Sequence, residues 1–205
     1  MIGTILAIVL SYLLGSVPIG YIYGRARGVD LRKIGSGNIG ATNVYRAFGK
    51  APAIIIFWLD VAKGLVAVLI IARLGAGWQY AAIVCGLAAI AGHVTSPFMG
   101  FRGGKGVATA VGVFLGLAPV ATAICLGIWA ALFASFRYVS LGSITGAIAL
   151  PILIWLLDRD GYRTSPVFYF ALLVALLVVI THRSNIRRLI NGTENRIGKR
   201  AEEAR

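Results

Sequence analysis

Long, nearly uncharged apolar runs alternate along this chain with short polar segments rich in glycine. The runs at 4–23, 52–72, 79–98, 139–157 and 166–183 are each long enough to cross about 30 Å of hydrocarbon as a helix. A further run from Gly106 to Phe136 contains 31 positions and no charge. As a single helix it would be about 46 Å long, too long for an ordinary span. Gly116-Leu117-Ala118-Pro119 offers a break in its middle, because proline cannot continue a helix from the preceding turn. The pattern therefore predicts an all-α, polytopic membrane protein with seven transmembrane helices. The first run has no basic region ahead of it and no small-residue cleavage site before Arg25, so it reads as a retained helix rather than a signal peptide.

Charge then sets the orientation. With the Gly106–Phe136 run split, residues 24–51, 99–105, 137–138 and 183–205 share one side and hold 6, 2, 1 and 7 Lys/Arg. The opposite side keeps Arg73, Arg159 and Arg163, and Lys63 lies inside the second span. Basic loops stay cytoplasmic, so the N-terminus is expected outside and the C-terminus inside. Without the split, the seven basic residues of the tail would move outside. The segment from Gly106 to Leu117 is short for a span and must start below the membrane surface or tilt little.

Composition agrees with this class. The chain of 205 residues is 59% hydrophobic and only 13% charged, about half the charged fraction of a soluble domain. A net charge of +13 could suggest nucleic acid, but no aromatic stacking platform accompanies the basic residues, and the positive-inside bias accounts for the charge. Cys85 and Cys125 both lie in apolar runs and read as small buried hydrophobes rather than a disulfide or zinc framework. The chain is expected to form one domain, 1–205, with no metal and no cofactor.

The orientation places three polar segments, 34–46, 93–109 and 182–195, on the same cytoplasmic face. In the first, Gly35, Gly37 and Gly40 loosen the backbone among Ser36, Asn38, Thr42 and Asn43. A helical turn there would set Thr42 and Arg46 on one face at i,i+4, and an arginine suits bidentate phosphate binding. In the second, Gly103, Gly104, Lys105 and Gly106 lead into Val107-Ala108-Thr109. This is not a nucleotide-triphosphate loop: Met99 stands where its first glycine belongs, and Gly106 follows the lysine. N–H groups at Gly104, Lys105 and Gly106 are nevertheless expected to open the next helix towards an anion. In the third, His182 and Asn185 stand at i,i+3 and would face one side of a helix. Arg187 and Arg188 suit anionic lipid head groups, and Glu194 is expected to pair with a nearby arginine and hold the loop. Two features stay open. Asp60 and Lys63, i,i+3 inside the second span, form a structural ion pair or touch substrate; His93 either bonds a neighbouring helix or belongs to the site.

Taken together these segments resemble the acyl-phosphate-dependent glycerol-3-phosphate acyltransferases of bacteria, the PlsY family. The resemblance rests on Gly35-Ser36-Gly37-Asn38-Ile39-Gly40-Ala41-Thr42-Asn43 with Arg46, and on Gly92-His93 with Gly103-Gly104-Lys105-Gly106-Val107-Ala108-Thr109. Its third part is His182, Asn185-Ile186, Arg188-Leu189 and Gly192-Thr193-Glu194. It covers the whole chain in span and motif order. Pro97 stands one position later after His93 than the family pattern, and Arg102 replaces its more usual lysine.

The resemblance implies transfer of a fatty acyl group from acyl phosphate to the 1-hydroxyl of sn-glycerol 3-phosphate. The products would be lysophosphatidic acid and phosphate, in the first step of phospholipid synthesis. It implies a multi-pass protein of the bacterial inner membrane with its site facing the cytoplasm, working as a monomer among membrane lipids. Lys105, His182, Ser36, Arg46 and Asn185 would be catalytic. Gly103, Gly104 and Gly106 would hold the acyl-phosphate head through backbone N–H groups. Asn38, Thr42, Asn43, Thr109, His93 and Glu194 would bind substrate. The base is His182 or a substrate phosphate oxygen. A CoA-dependent activity is disfavoured because no His-x4-Asp motif is present: Phe98 follows His93 at that spacing, and Arg187 follows His182.

The rival class is an anion or organic-phosphate transporter. It would place polar groups near the midplane and on both sides; here they crowd one side, and no inverted repeat is evident.

Overall fold

A computed structural model of the chain describes residues 2–75, 77–157 and 166–198. Among them all regular structure is helical. Arg159, Arg163 and the tail cations Lys199, Arg200 and Arg205, all counted in the charge argument, lie outside the described residues. The helices group into two compact units, Met1–Leu117 and Ala118–Arg205. The division falls at the expected break: α6 (Val107–Leu117) ends, Ala118 leaves helical geometry, and Pro119 opens α7 (Pro119–Phe136). Proline suits that first position because its missing N–H would have had no intrahelical partner.

The first unit also contains α1 (Ile2–Ser16), α2 (Ile19–Ala26), α3 (Ala41–Phe48), α4 (Lys50–Leu69) and α5 (Ala81–Val94). The run expected at 4–23 is thus two helices, broken at Val17-Pro18. Two helix pairs make its core, and both depend on glycine. In α1, Ala7, Ser11 and Gly15 recur every four residues and are buried, making a narrow stripe against α5. A Cβ on Gly15 would run into the carbonyl of Ala89, and one on Gly92 into the carbonyl of Tyr12. The pair α4–α6 is reciprocal: Gly64 abuts the carbonyl of Thr109, and Gly112 abuts that of Val61. Lipid tails are as apolar as leucine, so membrane helices associate through this close packing rather than through hydrophobic expulsion.

The second unit holds α7, α8 (Val139–Leu157), α9 (Pro166–Thr181) and α10 (Arg183–Ile190). Gly142 of α8 receives the indole of Trp129 from α7, and Trp129 stacks on Phe133 at 5.1 Å. Pro151 sits inside α8. Cys85 and Cys125 are buried and unbridged, as their apolar surroundings predict.

Five helical segments are long and apolar enough to cross a membrane: Ile2–Ala26, Lys50–Gly75, Ala81–Met99, Pro119–Phe136 and Val139–Leu157. A sixth candidate is α9 with α10, bent by 61° between them. Helix α6, with 11 residues, is apolar but shorter. Large apolar side chains left uncovered, among them Ile55, Trp58, Leu156, Leu173 and Leu176, fit a lipid-facing surface.

Candidate active site

The first polar segment is organised by one buried amide. Asn43, on the first turn of α3, donates from Nδ2 to the carbonyls of Leu31 (3.0 Å) and Ile34 (3.1 Å). Its Oδ1 accepts the N–H of Ser36 at 3.0 Å. Three backbone groups of the loop are thereby satisfied by one side chain, which fixes where Ser36 emerges. Gly35, at φ +56°, must lack a side chain, because a Cβ there would meet Asn43 Oδ1. That Cβ would also lie 3.7 Å from Arg46 Cδ, so the arginine stem passes beside Gly35. Asn38 turns its Oδ1 onto the N–H of Gly40 at 2.8 Å, just ahead of α3. The expected helical turn is present, with Thr42 and Arg46 one turn apart on α3. Asn43 and Asn38 were expected to touch substrate; instead they spend these groups on the loop itself.

The second segment folds back on the helix that precedes it. After α5 the chain makes a 3₁₀ turn at Pro97–Met99. It then returns so that Gly103 N–H donates to Val94 O (2.9 Å) and Gly104 N–H to His93 O (3.0 Å). A Cβ on Gly103 would strike the His93 carbonyl, and one on Gly104 would strike the His93 ring. This corrects the expected roles of Gly103 and Gly104. Their N–H groups are taken by the end of α5, and the residues are glycines because the backbone approaches so closely. The N–H groups left without a backbone acceptor are instead those at the start of α6. Its first internal bond runs from Ala110 N to Gly106 O, so the N–H groups of Val107, Ala108 and Thr109 have no intrahelical acceptor. They form the positive end of the helix dipole. Gly106, at φ +81°, makes the turn into α6. Lys105 precedes it half-buried. The hydroxyl of Thr109 is buried without a hydrogen-bond partner among the described residues.

Beneath this loop lies a buried ionic cluster. Lys63 Nζ is 2.6 Å from Asp60 Oδ1 one turn away on α4. It also reaches Gly15 O (3.2 Å), Val17 O (3.0 Å) and His93 Nδ1 (3.2 Å). Asp60 Oδ1 has no other donor among the described residues. The ammonium also covers backbone carbonyls exposed by the break between α1 and α2, which is a structural duty. Ser96 Oγ adds a bond to Ser16 O at 2.6 Å, and Tyr12 Oη one to Thr95 O at 2.8 Å. These tie the far end of α5 to α1. Nothing in a lone Ser16, Ser96 or Tyr12 signals that duty in the sequence.

In the second unit, His182 caps α10 at the bend. Its buried Nδ1 lies 2.9 Å from Val178 O. A carbonyl only accepts, so Nδ1 carries the proton and a neutral ring bears its lone pair on Nε2. Asn185 follows one turn on and donates to Glu194 Oε1 at 2.6 Å. Glu194 also accepts from Ser140 Oγ (2.8 Å) and, on Oε2, from Arg188 Nε (2.7 Å). Burial pushes this carboxyl up, but the bonds from Asn185, Arg188 and Ser140 outweigh it and hold it below its ordinary value. The pairing expected between Glu194 and an arginine is present. The carboxylate expected to bind substrate accepts three hydrogen bonds from the protein itself. Arg188, expected at lipid head groups, is committed to this pair. Ser140, one serine in an apolar span, gave no signal in the sequence.

Comparison with known proteins decides what these loops belong to. Residues 5–192 match the family model described as glycerol-3-phosphate acyltransferase. The chain belongs to the glycerol-3-phosphate acyltransferase family. Family members named glycerol-3-phosphate acyltransferase include one from Geobacter sulfurreducens, 45% identical over 96% of this chain and 98% of its own length. Another, from Thermus thermophilus, is 45% identical over 98% of this chain and 99% of its own. Among solved structures, the glycerol 3-phosphate form of PlsY (YgiH), an integral membrane glycerol 3-phosphate acyltransferase, superposes with a TM-score of 0.89. It is 37% identical, with 98% of this chain and 99% of that one covered. The lysophosphatidic acid form of PlsY gives a TM-score of 0.85 at 39% identity, over 95% of each chain. The resemblance carried by the three motifs is thus a family relationship across nearly the whole acyltransferase chain.

Proposed function

We propose that this glycerol-3-phosphate acyltransferase takes its acyl group from acyl phosphate and transfers it to the 1-hydroxyl of sn-glycerol 3-phosphate. The observation that carries the reading is the start of α6, where Lys105 and Gly106 precede three N–H groups, of Val107, Ala108 and Thr109, that have no intrahelical acceptor. The acyl phosphate head sits on Val107, Ala108 and Thr109 N–H with Gly106 at the turn. Lys105 lies against both phosphates and neutralises charge as the phosphate leaves. By the motif match to the family, Ser36, Arg46, His182 and Asn185 are the residues assigned to glycerol 3-phosphate. Thr42 and the Thr109 hydroxyl add hydrogen bonds. Acyl phosphate is already activated, so positioning and charge stabilisation supply the catalysis.

The hydroxyl proton has two acceptors of suitable chemistry. One is His182 Nε2, whose lone pair is set by the Nδ1 bond to Val178 O; the other is a substrate phosphate oxygen. No acyl-enzyme is needed, since Ser36 on its exposed loop has no base bonded to it among the described residues. The topology that goes with this reading has seven spans, N-terminus outside and C-terminus inside, in the bacterial inner membrane. All three loops then open to the cytoplasm, where glycerol 3-phosphate is, and the protein works as a monomer. Support comes from the distribution of Lys and Arg and from the apolar lengths of the helices.

The test is phosphate release by purified protein in lipid, given palmitoyl phosphate and glycerol 3-phosphate, with palmitoyl-CoA as the competing donor. Release that needs both substrates, yields lysophosphatidic acid and is lost in Lys105→Ala is the expected result. Activity with palmitoyl-CoA alone would overturn the donor assignment.

A further inference from the structure

His93 is more than nine-tenths buried, and its ring is oriented by a charge pair rather than by apolar packing alone. Lys63 has three protons and no lone pair. Where its Nζ meets His93 Nδ1 at 3.2 Å, the nitrogen of the imidazole must be the acceptor. Asp60 Oδ1 lies 2.6 Å from that ammonium and 3.8 Å from Nδ1, too far to take a proton from it. A neutral His93 therefore carries its proton on Nε2. That nitrogen points into the second loop: a Cβ on Gly104 would collide with it. Nε2–H makes no hydrogen bond among the described residues.

We infer that His93 Nε2–H is a further donor for the phosphate head bound at the start of α6, and that Asp60 and Lys63 are positioning residues that fix its tautomer. Two independent features meet the same short loop: helix-opening N–H groups from α6 at its end, and a buried side-chain donor from α5 against Gly104. A purely structural lysine would be satisfied by Gly15 O and Val17 O. It would not require an imidazole as its next neighbour, and a leucine would fill that space as well. The ligand is a phosphate monoester or acyl phosphate head. Its assignment to a substrate rests on the acyltransferase reading, but the tautomer does not.

The first arm of the test is therefore spectroscopic. Protein labelled with ¹⁵N-histidine contains two histidines, and the spectrum of His93→Gln identifies the signal that belongs to His93. The expected result is an unprotonated Nδ1, a protonated Nε2, and a shift of Nε2 on adding glycerol 3-phosphate or an acyl phosphonate. A protonated Nδ1, or an Nε2 that neither compound moves, would overturn the inference even in a protein that shows no acyl transfer. The second arm is kinetic. His93→Leu should raise KM for one substrate by about tenfold or more, the size of one charge-assisted hydrogen bond, with kcat changed by less. His93→Gln, which keeps an N–H near the position of Nε2, should recover part of that loss. The neutral pair Asp60→Asn with Lys63→Met should show the same rise in KM with a mixed tautomer. The substrate whose KM moves names the phosphate. Normal KM for both substrates in His93→Leu would sink the proposal.

Discussion

Glu194 and Asn185 face each other across 2.6 Å, the amide donating to a carboxylate that already holds Ser140 and Arg188. The carboxylate therefore fixes the side chain on α10 that is assigned to glycerol 3-phosphate. Glu194→Ala strips three donors of their acceptor, two of them on buried residues. It should cost about 2 kcal/mol or more, read as a lower unfolding temperature in detergent. KM for glycerol 3-phosphate should rise with it.

The same carboxyl gives a pH dependence of known sign. Its value is lowered on folding from an ordinary 4.5, so its contribution is complete above that value. It is lost as the pH falls through the lower folded value. Unfolding temperature followed from pH 7 downward should drop more steeply in the native protein than in Glu194→Gln. Parallel curves would show that the carboxylate contributes nothing.

Asn43→Ala removes three loop bonds at one stroke. The expected cost is about 1–3 kcal/mol, together with a raised KM for glycerol 3-phosphate, because the loop that carries Ser36 loses its support. Asn43→Asp is the sharper variant. It keeps the acceptor for Ser36 N–H but sets a carboxylate oxygen against the carbonyls of Leu31 and Ile34, and should be no better than alanine.

Glycines 100 and 104 should separate backbone strain from close approach. A methyl at Gly104 enters the His93 ring, whereas one at Gly100, at φ +60°, meets nothing within 4 Å. Gly100→Ala should cost about 1 kcal/mol and keep most of the activity. Gly104→Ala should cost about 1–3 kcal/mol and abolish most phosphate release. Equal activity in the two variants would contradict the packing described for the loop.

His182→Ala, assayed at saturating substrate, tests the base. If His182 takes the proton, kcat should fall by about 10²–10⁴-fold. A fall confined to KM assigns the proton to a substrate phosphate.

Much of the fold is legible in apolar run length, because hydrocarbon thickness sets a fixed scale for a helix. The split at Pro119 is readable since proline has a local effect. The break at Val17-Pro18 escapes the same reasoning, because the run at 4–23 already has the length of a single span and gives no cause to divide it. At the site, the motif residues could be found because glycine, lysine and arginine between apolar segments are costly without a use. Which of them touch substrate was less legible. Gly103 and Gly104 lose their N–H groups to carbonyls of α5 only when the loop folds back, and no spacing encodes that return. Asn43, Asn38 and Glu194 have the right chemistry for a ligand, and the fold directs that chemistry inward. Asp60 and Lys63 are one turn apart on α4, but His93 stands 30 residues beyond Lys63 in the chain, and only helix packing reveals the three as one cluster.

Helix α6 has 11 residues and so rises about 16 Å, roughly half the hydrocarbon thickness of a bilayer. In the seven-span topology proposed above, with its far end at the opposite membrane surface, its opening N–H groups would lie at the depth of the lipid tails. On that proposal a fatty chain would deliver its carbonyl to the phosphate seat while staying in the oil. Only the small, water-soluble acceptor would have to descend, and the product would leave sideways into the leaflet.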